Sequence, residues 1–137
     1  MAGKIKNKHQ EEKSKHLAVQ NKSEPSPESL PPIFSLRYLN KEYCLSKCEK
    51  DEKAAFADTL HRLSNLTWAQ IKAAPRQGLG YEIIPRKGIP GIPAHVTDEV
   101  NLIAFRFCAK APMVGYRDRT TFHIIWLDRD FTLYDHG

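Results

Sequence analysis

VNLIAFRFCAKAPMVGYRDRTTFHIIWL, residues Val100–Leu127, is the stretch from which the rest of the chain can be organised. It divides into three extended segments. Val100–Cys108 is interrupted by Lys110-Ala-Pro112, Met113–Arg117 turns at Asp118-Arg119, and Thr121–Leu127 completes the set. In the first, Ile103, Phe105 and Phe107 project to one side and Leu102, Ala104, Arg106 and Cys108 to the other, because successive side chains of a strand alternate. The aromatic side is expected beneath helices and Arg106 on the uncovered side. Burying a guanidinium is costly unless it is paired, so that side is either wet or holds an anion. Arg117 shares a side with Met113 and Gly115, and Gly115 marks either a bulge or a close approach of another backbone. In the third segment Phe122, Ile124 and Trp126 oppose Ile125 and Leu127, as in a central strand with two covered faces. His123 falls on the Leu127 side, where a packed, hydrogen-bonded imidazole and a catalytic one both remain open.

Working outward, IFSLRYL (Ile33–Leu39) alternates Phe34, Leu36 and Tyr38 with Ser35 and Arg37, the period of a half-buried strand. Ser46-Lys-Cys-Glu49 has capping-box spacing. Behind it Phe56, Leu60 and Leu63 recur at i, i+4 and i+7, predicting an amphipathic helix that ends near Leu66. Thr67-Trp-Ala-Gln70 repeats the cap and opens a second, short helix that Pro75 stops. Gln77–Gly80 is a turn, Tyr81–Ile84 a short strand, and Arg86–Pro93, with two glycines and two prolines, a loop. The order is β-α-α-β-β-β, a strand and two helices followed by an antiparallel meander of three or four strands, and the class is α+β, with two helices packed on one face of a small antiparallel sheet.

The chain of 137 residues carries a formal charge of +5, which permits a polyanion as partner without requiring one. Residues 1–32 mix lysine and glutamate and then become KSEPSPESLPP. They read as a disordered tail, with a transient helix around Gln10–Gln20, and removing Met1–Pro31 is expected to leave folding intact. Residues 33–137 form the single folded domain. No apolar run is long enough for a membrane span, and the basic N-terminus lacks the apolar segment of a secretory signal. Three cysteines in apolar settings suit a reducing, cytoplasmic location. Cys44 and Cys48 lack a second Cys/His pair at zinc spacing, and no cofactor or metal is expected.

The closing FTLYDHG brings Tyr134 and His136. One reading is an edge strand that tucks its apolar residues against the core. The other is a phenol and an imidazole delivered to the uncovered face beside the arginines, and histidine is well suited to proton exchange near neutral pH. Glu82, after the Gly-rich turn, is either a surface carboxylate or a general base.

The arrangement resembles the RelE/ParE superfamily of small bacterial toxins over about residues 33–137. Gly78-Leu-Gly80-Tyr-Glu82 looks like the Gly-rich turn and acidic residue of YoeB-type ribonucleases, and Ile103–Phe107 like their strand that carries a basic residue. MVGYR (Met113–Arg117) and TLYDH look like the third strand and the C-terminal His/Tyr pair. The resemblance implies a metal-independent endoribonuclease acting on mRNA, free or ribosome-bound, with an antitoxin protein as partner. Glu82 would be the base, Arg106 and Arg117 the phosphate clamps, and Tyr134 with His136 the acid end. The chain departs from the pattern at Pro112, where the family carries arginine, and in its longer 86–99 loop. Because the superfamily includes gyrase inhibitors that cleave nothing, a non-catalytic binding module is the alternative, and a small basic protein without either role is the third reading.

Overall fold

The structure, a computed structural model, describes residues 24–135; the lysine-rich start of the tail, the Gln10–Gln20 segment and His136 lie outside them. The elements are β1 (Ile33–Ser35), α1 (Lys50–Leu63), α2 (Trp68–Ala73), β2 (Tyr81–Ile84), β3 (Leu102–Cys108), β4 (Ala111–Asp118) and β5 (Thr121–Leu127). They build one five-stranded sheet in the order β1-β5-β4-β3-β2. Strands β2 to β5 form the expected antiparallel meander, and β1 adds to β5 in parallel, with Phe34 opposite Phe122. The class is α+β. The two helices connect the edge strands β1 and β2 and cover one face between them.

The β3 alternation holds. Ile103, Phe105 and Phe107 share a core with Phe56, Leu63 and Trp68, and Leu60 packs against it. Phe56 meets Phe107 edge to face, with ring centres 6.1 Å apart, and the buried Thr59 hydroxyl donates to the Phe107 carbonyl at 3.1 Å. Thr67 and Gln70 form the predicted capping box: the Gln70 N–H donates to the Thr67 hydroxyl and the Thr67 N–H to the Gln70 side-chain oxygen. The start of α1 differs from expectation. Ser46 lies in a short 3-10 turn (Leu45–Lys47), and the helix begins only at Lys50, with the Glu49 N–H donating to the Glu52 carboxylate at 2.6 Å. Tertiary structure selects this cap, because Glu52 also receives Arg129 at 2.8 Å from the far end of the chain.

Two further corrections concern the other face. It is not uncovered. Ile89 and Val96 of the long loop, together with Leu133 near the C-terminus, bury Leu102, Ala104, Val114, Ile125 and Trp126 in a second core. Arg86 fastens that loop by donating to the carbonyls of Val96 and Val100 at 2.6 and 3.0 Å. Second, β5 carries a bulge. Val114 pairs with Trp126 and Gly115 with Ile124, so Ile125 is the extra residue. The insertion resets the alternation: Trp126 joins Ile125 and His123 on the loop-covered face, and Leu127 joins Phe122 and Ile124 under the helices. Gly115 is what the bulge needs, since a Cβ there would collide with the His123 carbonyl.

Residues 26–32, expected to belong to the tail, are docked. Pro27–Ser29 form a 3-10 turn, the Leu30 carbonyl accepts the Trp68 N–H at 3.0 Å, Glu28 pairs with Arg117 at 2.6 Å, and Pro32 is buried.

Candidate functional site

Where the loop-covered face runs out toward β2, a cleft of about 360 Å³ opens, and Glu82, Arg106 and Tyr134 line it with Arg76, Lys110 and Phe131. Each expected residue arrives from a different element. Glu82 sits on β2 opposite Ala104. Arg106 sits two residues along β3, opposite Pro112, and therefore on the face away from the helices. Tyr134 comes from beyond β5, held in place by a turn that Asp128 organises. The Asp128 carboxylate is fully buried and accepts the N–H groups of Thr132 and Leu133 at 2.8 and 3.0 Å. The Asp128 N–H in turn donates to the Pro112 carbonyl at 2.9 Å, which joins the turn to the cleft wall.

The electrostatics are specific. Burial pushes the Tyr134 phenol up to about 12, with the Glu82 and Asp128 carboxylates adding to the rise and Arg106 opposing it. At neutral pH it is a hydrogen-bond donor and proton source and not a phenolate. The Glu82 carboxylate is held by Arg76 at 2.6 Å, so acting as a base requires that guanidinium to move aside. Arg106 is half-buried and enters no ion pair among the described residues.

Arg117 is not in this cleft. Met113, Gly115 and Arg117 alternate onto the helix side, because Phe105 pairs with Met113 and Phe122 with Arg117. The Arg117 guanidinium lies 4.2 Å from the centre of the Trp68 ring, pairs with Glu28 and donates to the Arg119 carbonyl at 2.6 Å. It joins the docked segment to α2. His136, the other expected proton donor, lies outside the described residues.

A second group of chemical side chains stands on the same face, further along β4 and β5. Tyr116 and His123 stack with ring centres 4.7 Å apart and planes 16° apart. The His95 Nε2 and the Tyr116 hydroxyl are 2.7 Å apart, and Tyr38 packs on both imidazoles, at 4.4 Å from His95 and 5.5 Å from His123. The His123 Nδ1 is buried and has no hydrogen-bond partner among the described residues. Burial lowers its pKa, His95 and Arg37 add to the depression, and Asp118 opposes it. His123 is thus a packed imidazole held neutral. Sequence reasoning passed over His95 because a glycine- and proline-rich loop has no periodicity to say which residue turns inward.

No protein-family model matches the chain, and no curated protein or solved structure does. Among the described residues no helix is long and apolar enough to cross a membrane.

Proposed function

We propose that the cleft binds RNA and that the protein is a small, toxin-like endoribonuclease of the cytoplasm that cleaves without metal. The observation that carries the reading is the meeting of a carboxylate, a guanidinium and a protonated phenol, from three separate elements, in one cleft. RNA brings its own nucleophile. The 2′ oxygen forms a bond to phosphorus and the bond to the 5′ oxygen breaks, leaving a 2′,3′-cyclic phosphate and a 5′ hydroxyl. Arg106 offsets the charge that grows on the non-bridging oxygens. Tyr134 protonates the departing 5′ oxygen. A bound phosphate draws Arg76 toward itself, and the released Glu82 takes the 2′ proton.

The test is incubation of purified protein with RNA in chelator, with and without ribosomes, followed by analysis of the product ends. The expected result is cyclic-phosphate ends and a loss of roughly a hundredfold in rate for Arg106→Ala. Absence of cleavage under every condition overturns the nuclease reading. The Arg76–Glu82 pair favours one second reading, a binding module that grips a nucleic acid or protein partner through the same cations. In that case Arg106→Ala weakens binding, and Glu82→Gln changes nothing.

A further inference from the structure

Residues 86–100 leave the sheet after β2 and return to it before β3, and nearly all of their polar contacts are with one another. Arg86 donates to the carbonyls of Val96 and Val100 and pairs with Asp98 at 3.7 Å. The Ile89, Val96 and Val100 N–H groups donate to the carbonyls of Arg86, Pro93 and Thr97. The segment is thus an Ω-shaped loop, closed at its neck and braced from within. Among the described residues one hydrogen bond joins it to the rest of the chain, the 2.7 Å contact of His95 Nε2 with the Tyr116 hydroxyl. Ile89 and Val96, with Ile92 and Val100 at the margin, supply its apolar hold on the sheet. The face beneath is sealed at a cost. The two buried side-chain nitrogens without a hydrogen-bond partner among the described residues, His123 Nδ1 and Trp126 Nε1, both lie on it. Under the helices the other indole is satisfied, with Trp68 Nε1 donating to the Thr120 carbonyl at 3.0 Å. A buried polar group without a partner costs free energy that water would restore, so uncovering this face returns part of what the lost apolar contact takes away.

We propose that residues 86–100 are an acid-released lid: protonation of His123 swings the loop off the sheet as a unit and uncovers Trp126, while the helices and the five strands stay in place. A protonated imidazole donates from both nitrogens. His123 Nδ1 is buried without an acceptor while the lid is shut, with Tyr116 stacked on the ring and Tyr38 packed against it. The surrounding charges oppose a further cation. Arg37 and Tyr38 come from the segment after β1, His95 from the loop, and Tyr116 and Asp118 from β4; Asp118 is the one carboxylate among them. With His123 charged, and His95 charged beside it, three cations gather round the Tyr38 ring against that single carboxylate. The loop yields because one hydrogen bond holds it, whereas β5 is held by β1 and β4 along both edges.

The experiment follows the two indole N–H groups of the full chain by nuclear magnetic resonance, measuring the protection of each from solvent exchange at pH 7.5 and at pH 5. Trp126 reports the lid. Trp68, under the helices, reports unfolding of the whole. The expected result is that Trp126 is less protected than Trp68 at both pH values, because it is uncovered without unfolding. Its protection, corrected for the intrinsic pH dependence of exchange, is expected to fall about tenfold between pH 7.5 and pH 5. His123→Phe, which keeps the stack on Tyr116 and cannot take a proton, is expected to abolish that fall. His95→Ala, which removes the hydrogen bond, is expected to lower Trp126 protection at both pH values. Equal protection of the two indoles would mean that Trp126 is reached only by global unfolding, which overturns the inference. It is overturned too if Trp126 protection is the same at both pH values, or if its fall persists in His123→Phe. Should His123→Phe fail to fold, His95→Ala decides: unchanged Trp126 protection in that variant shows that the imidazole does not hold the lid, and the inference falls.

Discussion

Two arginines separated by eleven positions and by one face of a sheet have different work. Arg106 looks into a cleft and forms no ion pair among the described residues. Arg117 is spent on structure, stacked on Trp68 and paired with Glu28. The substitution Arg117→Ala is therefore expected to cost about 1–2 kcal/mol of stability through the lost cation–π contact and the partly shielded ion pair, and to leave RNA binding and cleavage within about twofold of wild type. Arg106→Ala is expected to do the reverse. Paired denaturant titrations and cleavage assays check both, and loss of cleavage in a folded Arg117→Ala protein would return that side chain to the mechanism. Strand alternation made the companions of each arginine legible. Which side of β4 faces the helices was not, because that depends on the register with β3, and register is a property of two strands.

The Tyr38, His95, Tyr116 and His123 group works at the scale of elements. It clasps the 86–100 loop to the sheet, with His95 as the loop's contribution and Tyr116 and His123 as the sheet's. The groups that face His123 are Tyr38 and Arg37 after β1, His95 from the loop, and Tyr116 and Asp118 from β4. Because its folded pKa lies below the unfolded value of about 6.5, the unfolded chain binds the proton more tightly. The contribution to stability is thus complete above that value and is lost as pH falls through the depressed folded pKa. His123→Phe keeps the stack on Tyr116 and removes the proton. Melting temperatures measured from pH 7.5 down to pH 5 are expected to fall less steeply in the variant than in wild type, and parallel curves would remove His123 from the acid response. The bulge beside it explains why the partners of His123 were not legible. Simple alternation put Leu127 on its side and Trp126 opposite, and one inserted residue, Ile125, exchanged the two.

At the scale of the whole molecule, the folded unit begins before β1. The turn at Pro27–Ser29 and the buried Pro32 dock onto α2 and the β4–β5 hairpin through Leu30–Trp68 and Glu28–Arg117. A chain that begins at Pro32 is expected to unfold below one that begins at Pro25. The lost backbone hydrogen bond and ion pair are together worth about 1–2 kcal/mol, and each kcal/mol shifts the melting temperature by roughly 4–8 °C in a small domain. Equal melting temperatures would show that the segment only rests on the surface. The proline- and serine-rich composition concealed this docking, because it is made by a backbone carbonyl and a single carboxylate and not by periodic apolar side chains.

The hydrophobic periods of β3 and α1, the Thr67 cap and the stop at Pro75 could be read directly, since each depends on residues within one turn or one strand of each other. The α+β order followed from them. The lid over the second face came from Ile89 and Val96, scattered in an irregular loop, and from Leu133 beyond β5, which no local period reports. The late start of α1 was set by Arg129 reaching Glu52 across the molecule. The cleft itself exists because the buried carboxylate of Asp128 bends the end of the chain back toward β2 and β3, so that Tyr134 and Phe131 meet Glu82 and Arg106. Those residues come from three separate stretches of the chain, and the long-range packing that joins the stretches leaves no mark on the local pattern around any one.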